Sequence, residues 1–350
     1  MFQINNHTIK NYNSPFIISE AGLNHNGNLE KAFEMIKLAK ESGSDAVKFQ
    51  TYVAKDFISD LNQTYTYYSQ GEEITESMLK MFERCEFSRD EWFQIKEKCV
   101  NENIIFLSTP VNSPDVKLLQ ELDVPAIKIG SSDLLNFPLL DSCKNTGLPL
   151  IISCGMSELP EISNSIKRIG GFEETSVAIL LCTSEYPTPQ TDVNLKRFET
   201  LSKNFPQIPL GFSDHTRGPL ASSLAVSFGS CIFEKHFTLD HNLPGPDHWF
   251  SEDPLGLKQW IQSIRNSYKM IGSSKIQPTN AEIEMKKIAR KSIVVLEDIE
   301  KGEILGSKIG VKRPGHGISP TLIDEIKEKK SIKSLKKGDL LERGDFEIEC

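Results

Sequence analysis

The chain has 350 residues, enough for one large domain and a small one, and its 38% hydrophobic content is ordinary for a globular protein. Its formal net charge of −8 disfavours nucleic acid and anionic membranes as partners, and its apolar runs are too short to cross a bilayer. The N-terminal residues lack the apolar core of a signal peptide, and the seven cysteines include no C-x-x-C pair. We therefore expect reduced thiols and a cytoplasmic protein.

Between residues 16 and 236, short apolar runs alternate with longer stretches of helical spacing. Eight such runs occur, at 16–19, 46–49, 104–107, 126–129, 150–152, 177–182, 210–212 and 231–233. Apolar strands that alternate with helices indicate a parallel sheet covered by helices, and eight units over about 250 residues predict an α/β fold of the (β/α)₈ TIM-barrel class. A doubly wound open sheet is the alternative, but no G-x-G-x-x-G or Walker motif follows the first run.

Residues 52–89 separate the second and third runs by about twice the usual distance. This segment carries a polar patch rich in tyrosine, at Tyr65, Tyr67 and Tyr68. Because the loops after barrel strands face the active site, we predict a long loop on the catalytic side.

The composition changes near residue 270. We predict a barrel domain over 1–270, a linker over 271–289 and a small β-rich domain over 290–350. Two similar turns, at 299–302 and 335–338, indicate internal pseudo-symmetry in this small domain.

Three of the predicted strands end in a lysine, namely Lys48, Lys128 and Lys235. Lysine is costly to bury without a partner, so a strand end that is merely solvated does not explain them. Hydroxyl groups lie at the ends of several strands, at Thr109, Ser131, Ser153 and Ser213. Fixed cations with short hydrogen-bond donors are what a phosphate and a carboxylate need.

Two histidines, His215 and His236, end adjacent strands in the predicted barrel, so that their rings can converge. Asp214 and Glu234 flank them, either as further metal ligands or as groups that orient the imidazoles. The first strand ends in Glu20, which is either a salt-bridge partner of Lys48 or a group for proton transfer.

Several longer motifs resemble the sialic acid synthase (N-acetylneuraminate synthase) family. They are SEAGLNHNGNLEKA at 19–32, DAVKFQTY at 45–52, FLSTP at 106–110, KIGSSD at 128–133, CTSEYPTP at 182–189, GFSDHT at 211–216, EKHFTLD at 234–240 and GPDH at 245–248. VKRPGHGI at 311–318 resembles the antifreeze-like (SAF) domain, of β-clip fold, that ends those synthases. The motifs cover nearly the whole chain in the family's order.

The resemblance implies an enzyme that forms a C–C bond between phosphoenolpyruvate and N-acetylmannosamine and releases phosphate. Phosphoenolpyruvate would bind to Lys48, Thr109, Lys128, Ser131, Ser153 and Ser213. The sugar or the intermediate would contact Glu20, Gln50, Asp133, Ser184, Tyr186 and Asp247, with Glu20, Tyr186 and the two histidines as catalytic residues. His215 and His236 would hold a divalent metal, manganese first, with magnesium or cobalt as alternatives. Arg313 would reach the sugar from a second subunit in a domain-swapped homodimer.

The chain departs from the family pattern at Ser184, at Ser132–Asp133 and at His316, where many members carry other residues. A legionaminate or other nonulosonate synthase, which uses a diacetamido 6-deoxy sugar, is an alternative, because the motifs CTSEYPTP and EKHFTLD would suit either enzyme. A non-catalytic carbohydrate-binding or ice-binding protein is the alternative from another class, but it leaves the strand-end lysines and histidines unexplained.

Overall fold

The computed structural model describes residues 2–347, so that residues 348–350 of the predicted small domain, Cys350 among them, lie outside the described residues. The chain forms two compact units, Met1–Gly272 and Ser273–Cys350. The six cysteines in the described part of the chain are buried free thiols. No helix of the described residues is long and apolar enough to cross a membrane.

The first unit contains a parallel eight-stranded barrel, which confirms the predicted (β/α)₈ class. Its strands, numbered one to eight along the chain, are Phe16–Gly22, Ala46–Thr51, Ile105–Pro110, Ile127–Ile129, Leu150–Ser153, Val177–Cys182, Leu210–Ser213 and Ile232–His236. Hydrogen bonds connect them in the order 3-2-1-8-7-6-5-4. Strands three and four, at the two ends of this order, lie beside each other and nearly close the barrel.

Helices surround the barrel and enter its loops. In this unit they are Leu29–Ser42, Ala54–Phe57, Met78–Glu83, Arg89–Asn101, Ser113–Glu121, Phe137–Lys144, Leu159–Arg168, Gly171–Glu174, Arg197–Asn204, Leu220–Ser227 and Pro254–Ile271, with 3₁₀ turns at Ser131–Asp133 and Gln190–Asp192. Local sequence determines where several of these helices begin or end. Ser88 and Glu91 form a capping box at the start of Arg89–Asn101, and Gly43 ends Leu29–Ser42 in the left-handed conformation at φ 95°.

Strand residues alternate between the inside of the barrel and the helix layer. The outward set, which includes Val47, Phe106 and Phe233, joins the large core beneath the helices. The inward set forms a separate apolar cluster toward the N-terminal ends of the strands, with Ile18 and Leu180 among its members. A hairpin of Phe2–Ile4 and His7–Ile9 packs into that cluster and fills the lower end of the barrel.

The second unit contains the helices Asn280–Ala289 and Ile323–Ile326, the 3₁₀ turns Gly306–Lys308 and Pro320–Leu322, and the antiparallel strands Ser292–Val295 and Ile309–Lys312. The two similar turns seen in the sequence lie opposite each other. Ile299 and Leu335 exchange backbone hydrogen bonds of 3.0 and 2.9 Å, and both side chains are buried in a small core. Gly302 and Gly338, at φ 84° and 97°, occupy equivalent positions after them.

Candidate active site

The alternation of strand residues produces a polar layer above the apolar lower half of the barrel. On strand one, Phe16 and Ile18 lie in the lower cluster, and Glu20 is the next inward residue. On strand eight, Ile232 is followed inward by Glu234 and His236. The C-terminal half of the barrel interior is therefore lined by charged and hydroxyl-bearing groups, although nearly all of them are buried.

Lys48 lies at the centre of the first group in this layer. Its ammonium is 2.8 Å from Oε2 of Glu20 and donates a hydrogen bond of 3.0 Å to Oγ1 of Thr109. The amide of Gln50 donates to Oε1 of Glu20 at 3.2 Å. Glu20 is thus both a salt-bridge partner of Lys48 and a residue of the site, so the two readings of this carboxylate are compatible.

Lys128 forms the second group with Glu234, which the sequence pattern predicted beside the histidines and not beside a lysine. Its ammonium donates to Oγ of Ser153 at 2.6 Å, and it lies 4.0 Å from Oε1 of Glu234. The same oxygen is 3.7 Å from the Lys48 ammonium and accepts from Ser213 at 3.4 Å. Oε2 of Glu234 is buried without a hydrogen-bond partner.

Burial and mutual charge set the protonation of this cluster. Burial raises the pKa of Glu20, and Lys48 opposes that shift without cancelling it. Burial also acts to raise the pKa of Glu234, but Lys128 and Lys48 outweigh it and lower that pKa. The pKa of Lys128 is lowered by burial, against the attraction of Glu234. The pocket therefore shifts the pKa values of its two carboxyl groups in opposite directions, upward for Glu20 and downward for Glu234.

The two predicted histidines converge at the top of this layer. Their ring centroids are 5.6 Å apart, and the ring of Tyr186 packs against both, at 4.2 Å from His215 and 5.8 Å from His236. Nδ1 of His215 lies 2.8 Å from the carbonyl oxygen of Thr183, which leaves Nε2 free for another partner. Nδ1 of His236 is buried without a hydrogen bond, 3.7 Å from Oδ2 of Asp247.

Two glycines allow these side chains to approach the backbone. A Cβ on Gly22, whose φ is +51°, would lie 3.1 Å from the ring of His236 and 3.2 Å from Asp247. A Cβ on Gly155 would lie 2.4 Å from Oγ of Ser184 and 2.8 Å from Oγ of Ser131. A larger residue would therefore strain the left-handed backbone at Gly22, and at Gly155 it would displace the hydroxyl groups of Ser184 and Ser131.

The remaining predicted residues lie around the mouth or in the other unit. Ser131 accepts a hydrogen bond of 3.0 Å from the backbone of Gly155. Asp133 is partly exposed and accepts from Ser132 at 2.9 Å and from Asn136 at 3.1 Å. Arg313 belongs to the second unit, where it is exposed next to the strand Ile309–Lys312.

Some residues near the motifs face away from the barrel interior. Lys235 lies between Glu234 and His236 on strand eight, so it points outward, where it contacts the carbonyl of Thr216 and lies 3.2 Å from Asp214. Asp214 also accepts hydrogen bonds from Thr216 and from Ser222, at 2.7 and 2.6 Å. The expectation that Lys235 adds a third cation to the site, and that Asp214 assists the metal, is therefore wrong.

Two further histidines brace loops instead of lining the site. His25 stacks on Phe87 at 4.4 Å and accepts from the backbone of Gly27 at 3.1 Å. His248 lies 2.7 Å from Oγ1 of Thr238 and 3.2 Å from the amide of Asn26.

The donor set at His215 and His236 suits a divalent metal bound by two imidazoles. Burial lowers the pKa of His236, so its ring is neutral and keeps a lone pair, and Thr183 fixes the orientation of the His215 ring from outside. Within residues 2–347 no group of three or more His, Cys, Asp or Glu side chains is gathered closely enough to form a complete set of metal ligands. Two imidazole ligands would leave the other coordination positions of a metal to water or substrate.

Comparison with known proteins places the chain in a family. The NeuB family matches residues 35–276. The chain is 39% identical to the N,N'-diacetyllegionaminic acid synthase of Legionella pneumophila over 316 residues, which cover 89% of this chain and 88% of that one. It is 32% identical to the human N-acetylneuraminate-9-phosphate synthase over 331 residues, 93% of this chain and 91% of that one.

Among solved structures, an N-acetylneuraminic acid (sialic acid) synthetase from Leptospira borgpetersenii, in complex with citrate, superimposes with a TM-score of 0.72. It is 31% identical, and the match covers 81% of this chain and 94% of that one. The family resemblance drawn from the motifs of the barrel is thereby confirmed: the chain belongs to the NeuB family.

Proposed function

We propose that the chain is a nonulosonate synthase that condenses phosphoenolpyruvate with an N-acetylated amino sugar and releases phosphate. The observation that carries this proposal is the arrangement inside the barrel, where two buried lysines and several hydroxyl groups lie below two convergent histidines. Membership of the NeuB family supports it.

The lower, cationic part of the site suits phosphoenolpyruvate. Lys48 and Lys128 supply fixed charge, and the hydroxyl groups that would complete the anion contacts are those of Thr109, Ser131, Ser153 and Ser213. The sugar would occupy the mouth, where Gln50, Asp133, Ser184, Tyr186 and Asp247 offer polar and aromatic contacts.

In the reaction, carbon 3 of phosphoenolpyruvate forms a bond to the aldehyde carbon of the open-chain sugar, and water adds to carbon 2. Cleavage of the bond between carbon 2 and the phosphate oxygen then yields phosphate and a 2-keto acid. Burial raises the pKa of Glu20, which suits this carboxyl group to donate a proton to the aldehyde oxygen. Glu234, with its unpartnered buried oxygen, is suited to accept a proton from the attacking water.

A divalent cation, manganese in our proposal, would be held by His215 and His236 and would act as a Lewis acid on the aldehyde. We expect exhaustive chelation to abolish phosphate release and added manganese to restore it. Metal analysis should find less manganese bound to His215→Ala and His236→Ala than to the unaltered protein. Full activity in chelated protein that contains no metal would refute this part of the proposal.

The sugar we favour is a diacetamido 6-deoxy sugar, because identity is 39% to the legionaminic acid synthase and 32% to the human N-acetylneuraminate-9-phosphate synthase. N-acetylmannosamine, which the motif resemblance implies, is the second candidate. The test is phosphate release from phosphoenolpyruvate with each of three sugars: the diacetamido 6-deoxy sugar, N-acetylmannosamine and N-acetylmannosamine 6-phosphate. Release with none of them would refute the proposed reaction, and faster release with N-acetylmannosamine would reverse the preference.

We also propose a cytoplasmic location and a domain-swapped homodimer, in which Arg313 of one subunit contacts the sugar bound to the barrel of another.

A further inference from the structure

The long loop after barrel strand two contains a hairpin that the reaction described above does not use. Its strands, Thr64–Ser69 and Glu72–Ser77, pair over their full lengths. Two of its tyrosines are largely exposed, Tyr65 at 41% and Tyr68 at 46%. Exposed aromatic rings beside a catalytic mouth are typical of ligand-binding walls. Whether these rings can form such a wall depends on where the hairpin lies and on how rigidly it is held.

The base of the hairpin rests on a small apolar core. Leu23, Tyr52, Met81 and Cys85 are buried together, and Tyr67 packs against them. The hydroxyl of Tyr67 also donates to Glu76 at 2.6 Å, and Arg84 holds the same carboxylate through two hydrogen bonds. The hairpin is therefore braced from below and does not depend on a ligand for its shape.

The tip of the hairpin is attached to the loop that follows barrel strand eight. Ser69, which is buried, accepts a hydrogen bond of 3.1 Å from the backbone of Gly245, and Gln70 donates to the carbonyl of Asn242 at 2.9 Å. This is the same loop that carries Asp247, which is 3.7 Å from His236. Two loops from opposite ends of the barrel sequence thus form one continuous rim.

A series of aromatic contacts leads from this rim to the two histidines. Tyr68 packs against Trp249 at 5.7 Å, Trp249 against Phe250 at 5.9 Å, and Phe250 against His236 at 5.4 Å and Tyr186 at 5.1 Å. The sugar end of the site is therefore bounded by aromatic rings.

We propose that the hairpin Thr64–Ser77, through Tyr68 and together with Trp249, forms the wall that contacts the end of the sugar farthest from its aldehyde and selects a sugar with an apolar substituent there. This rests on the proposed function. The ring faces of Tyr68 and Trp249 favour a methyl group over a hydroxyl, because a polar substituent placed against a ring face loses water without gaining a hydrogen bond. The wall would thus favour a 6-deoxy sugar.

The kinetic test uses Tyr68→Ala and Trp249→Ala, with Phe93→Ala as the matched control. Phe93 is also about 40% exposed, but it lies on the outer helix Arg89–Asn101. We expect both wall variants to raise the KM of the diacetamido 6-deoxy sugar about tenfold and to leave the KM of phosphoenolpyruvate within about twofold. Their preference for that sugar over N-acetylmannosamine should fall, while Phe93→Ala matches the unaltered enzyme. A merely structural role would change both KM values and leave the preference intact.

A binding measurement keeps the inference testable if a variant does not fold. The chain has three tryptophans, of which Trp92 and Trp260 are buried and Trp249 is partly exposed. Titration with the 6-deoxy sugar should therefore change the intrinsic fluorescence of the unaltered protein and leave that of Trp249→Phe unchanged. No fluorescence change with any sugar of the panel, or an unchanged sugar KM and preference in the wall variants, would overturn the wall. Failure of the unaltered protein to release phosphate would instead overturn the proposed reaction.

Discussion

At the scale of single residues, the direction in which a buried lysine points decides its role. Lys128 and Lys235 are both 2% exposed, and each ends a barrel strand. Lys128 points inward and faces Ser153 and Glu234, whereas Lys235 points outward, 3.2 Å from Asp214 and 3.6 Å from Glu252. The first has spare capacity for a ligand, and the second satisfies carboxylates of the scaffold.

We predict that substitution of Lys128 affects substrate binding, whereas substitution of Lys235 affects stability. Lys128→Ala, like Lys48→Ala, should raise the KM of phosphoenolpyruvate more than that of the sugar, because a charge-assisted contact worth about 1.5–3 kcal/mol is lost. Lys235→Ala should lower the free energy of unfolding by about 3–5 kcal/mol, because the buried carboxylate of Asp214 and the partly buried carboxylate of Glu252 lose their cation. Steady-state kinetics and urea unfolding measure the two effects. Unchanged phosphoenolpyruvate KM values in both Lys48→Ala and Lys128→Ala would show that the phosphate binds elsewhere.

His25 makes a prediction about acid stability. Its ring is buried against Phe87, and this burial lowers its pKa to about 3. The folded protein therefore keeps the ring neutral, while the unfolded chain protonates it near pH 6.5. Its contribution to stability is complete above pH 6.5 and is lost as the pH falls toward 3, by about 1.4 kcal/mol per pH unit.

The variant His25→Phe removes this titration and keeps an aromatic ring beside Phe87. Between pH 7 and pH 4, its free energy of unfolding should fall less steeply than that of the unaltered protein. Urea titrations at several pH values give both slopes, and equal slopes would contradict a neutral buried His25.

At the scale of elements, periodicity in the sequence predicted the barrel but not the orientation of every strand-end residue. All eight apolar runs correspond to barrel strands, because each is buried on both faces and so reads as continuous hydrophobic sequence. Because both faces of such a strand are apolar, its sequence does not show which side chains point into the barrel. The period of two, counted from Ile232, would have placed Glu234 inside the barrel and Lys235 outside.

The hairpin over Thr64–Ser77 was predicted only as a long polar loop. Its two strands carry mostly polar and tyrosine residues, and both are largely exposed, so no apolar face marks them in the sequence. Its place at the mouth depends on contacts with residues about 175 positions away, such as the hydrogen bond between Ser69 and Gly245. Contacts of that range have no local signal.

For the N-terminal hairpin, we predict an effect on stability and none on substrate binding. Phe2 is 1% exposed and belongs to the apolar cluster that closes the lower end of the barrel, on the side away from the lysines and histidines. Phe2→Ala should lower the free energy of unfolding by about 3–5 kcal/mol, because it leaves a cavity in a closed core. The KM values of both substrates, measured well below the melting temperature, should not change. A loss of stability below about 1 kcal/mol would show that the hairpin does not fill the barrel.

At the scale of the whole molecule, the second unit matters for the reaction if its Arg313 contacts the sugar. That unit has its own small core, and the segment with Arg313 lies at its surface, where the backbone of Gly315 donates to the carbonyl of Lys287 and that of Gly317 to Ser292. These hydrogen bonds fix the turn that follows Arg313. The exposed arginine is therefore suited to contact a ligand held by another body. If it does so, a chain that ends at Gly272 should keep the barrel fold and lose turnover of the sugar.

Complementation between inactive variants tests whether that contact crosses subunits. In the proposed swapped dimer, each site combines the barrel of one subunit with Arg313 of its partner. His236→Ala and Arg313→Ala should each be inactive or nearly so. Because a mixed dimer contains one barrel with His236 that is paired with a subunit carrying Arg313, random exchange of the two proteins should restore about a quarter of the full activity. The control mixes His236→Ala with His215→Ala, which both alter the barrel, so no mixed dimer has an intact site. If subunit exchange is verified by mass and the first mixture stays as inactive as the control, each site is built within one chain and the swapped arrangement is refuted.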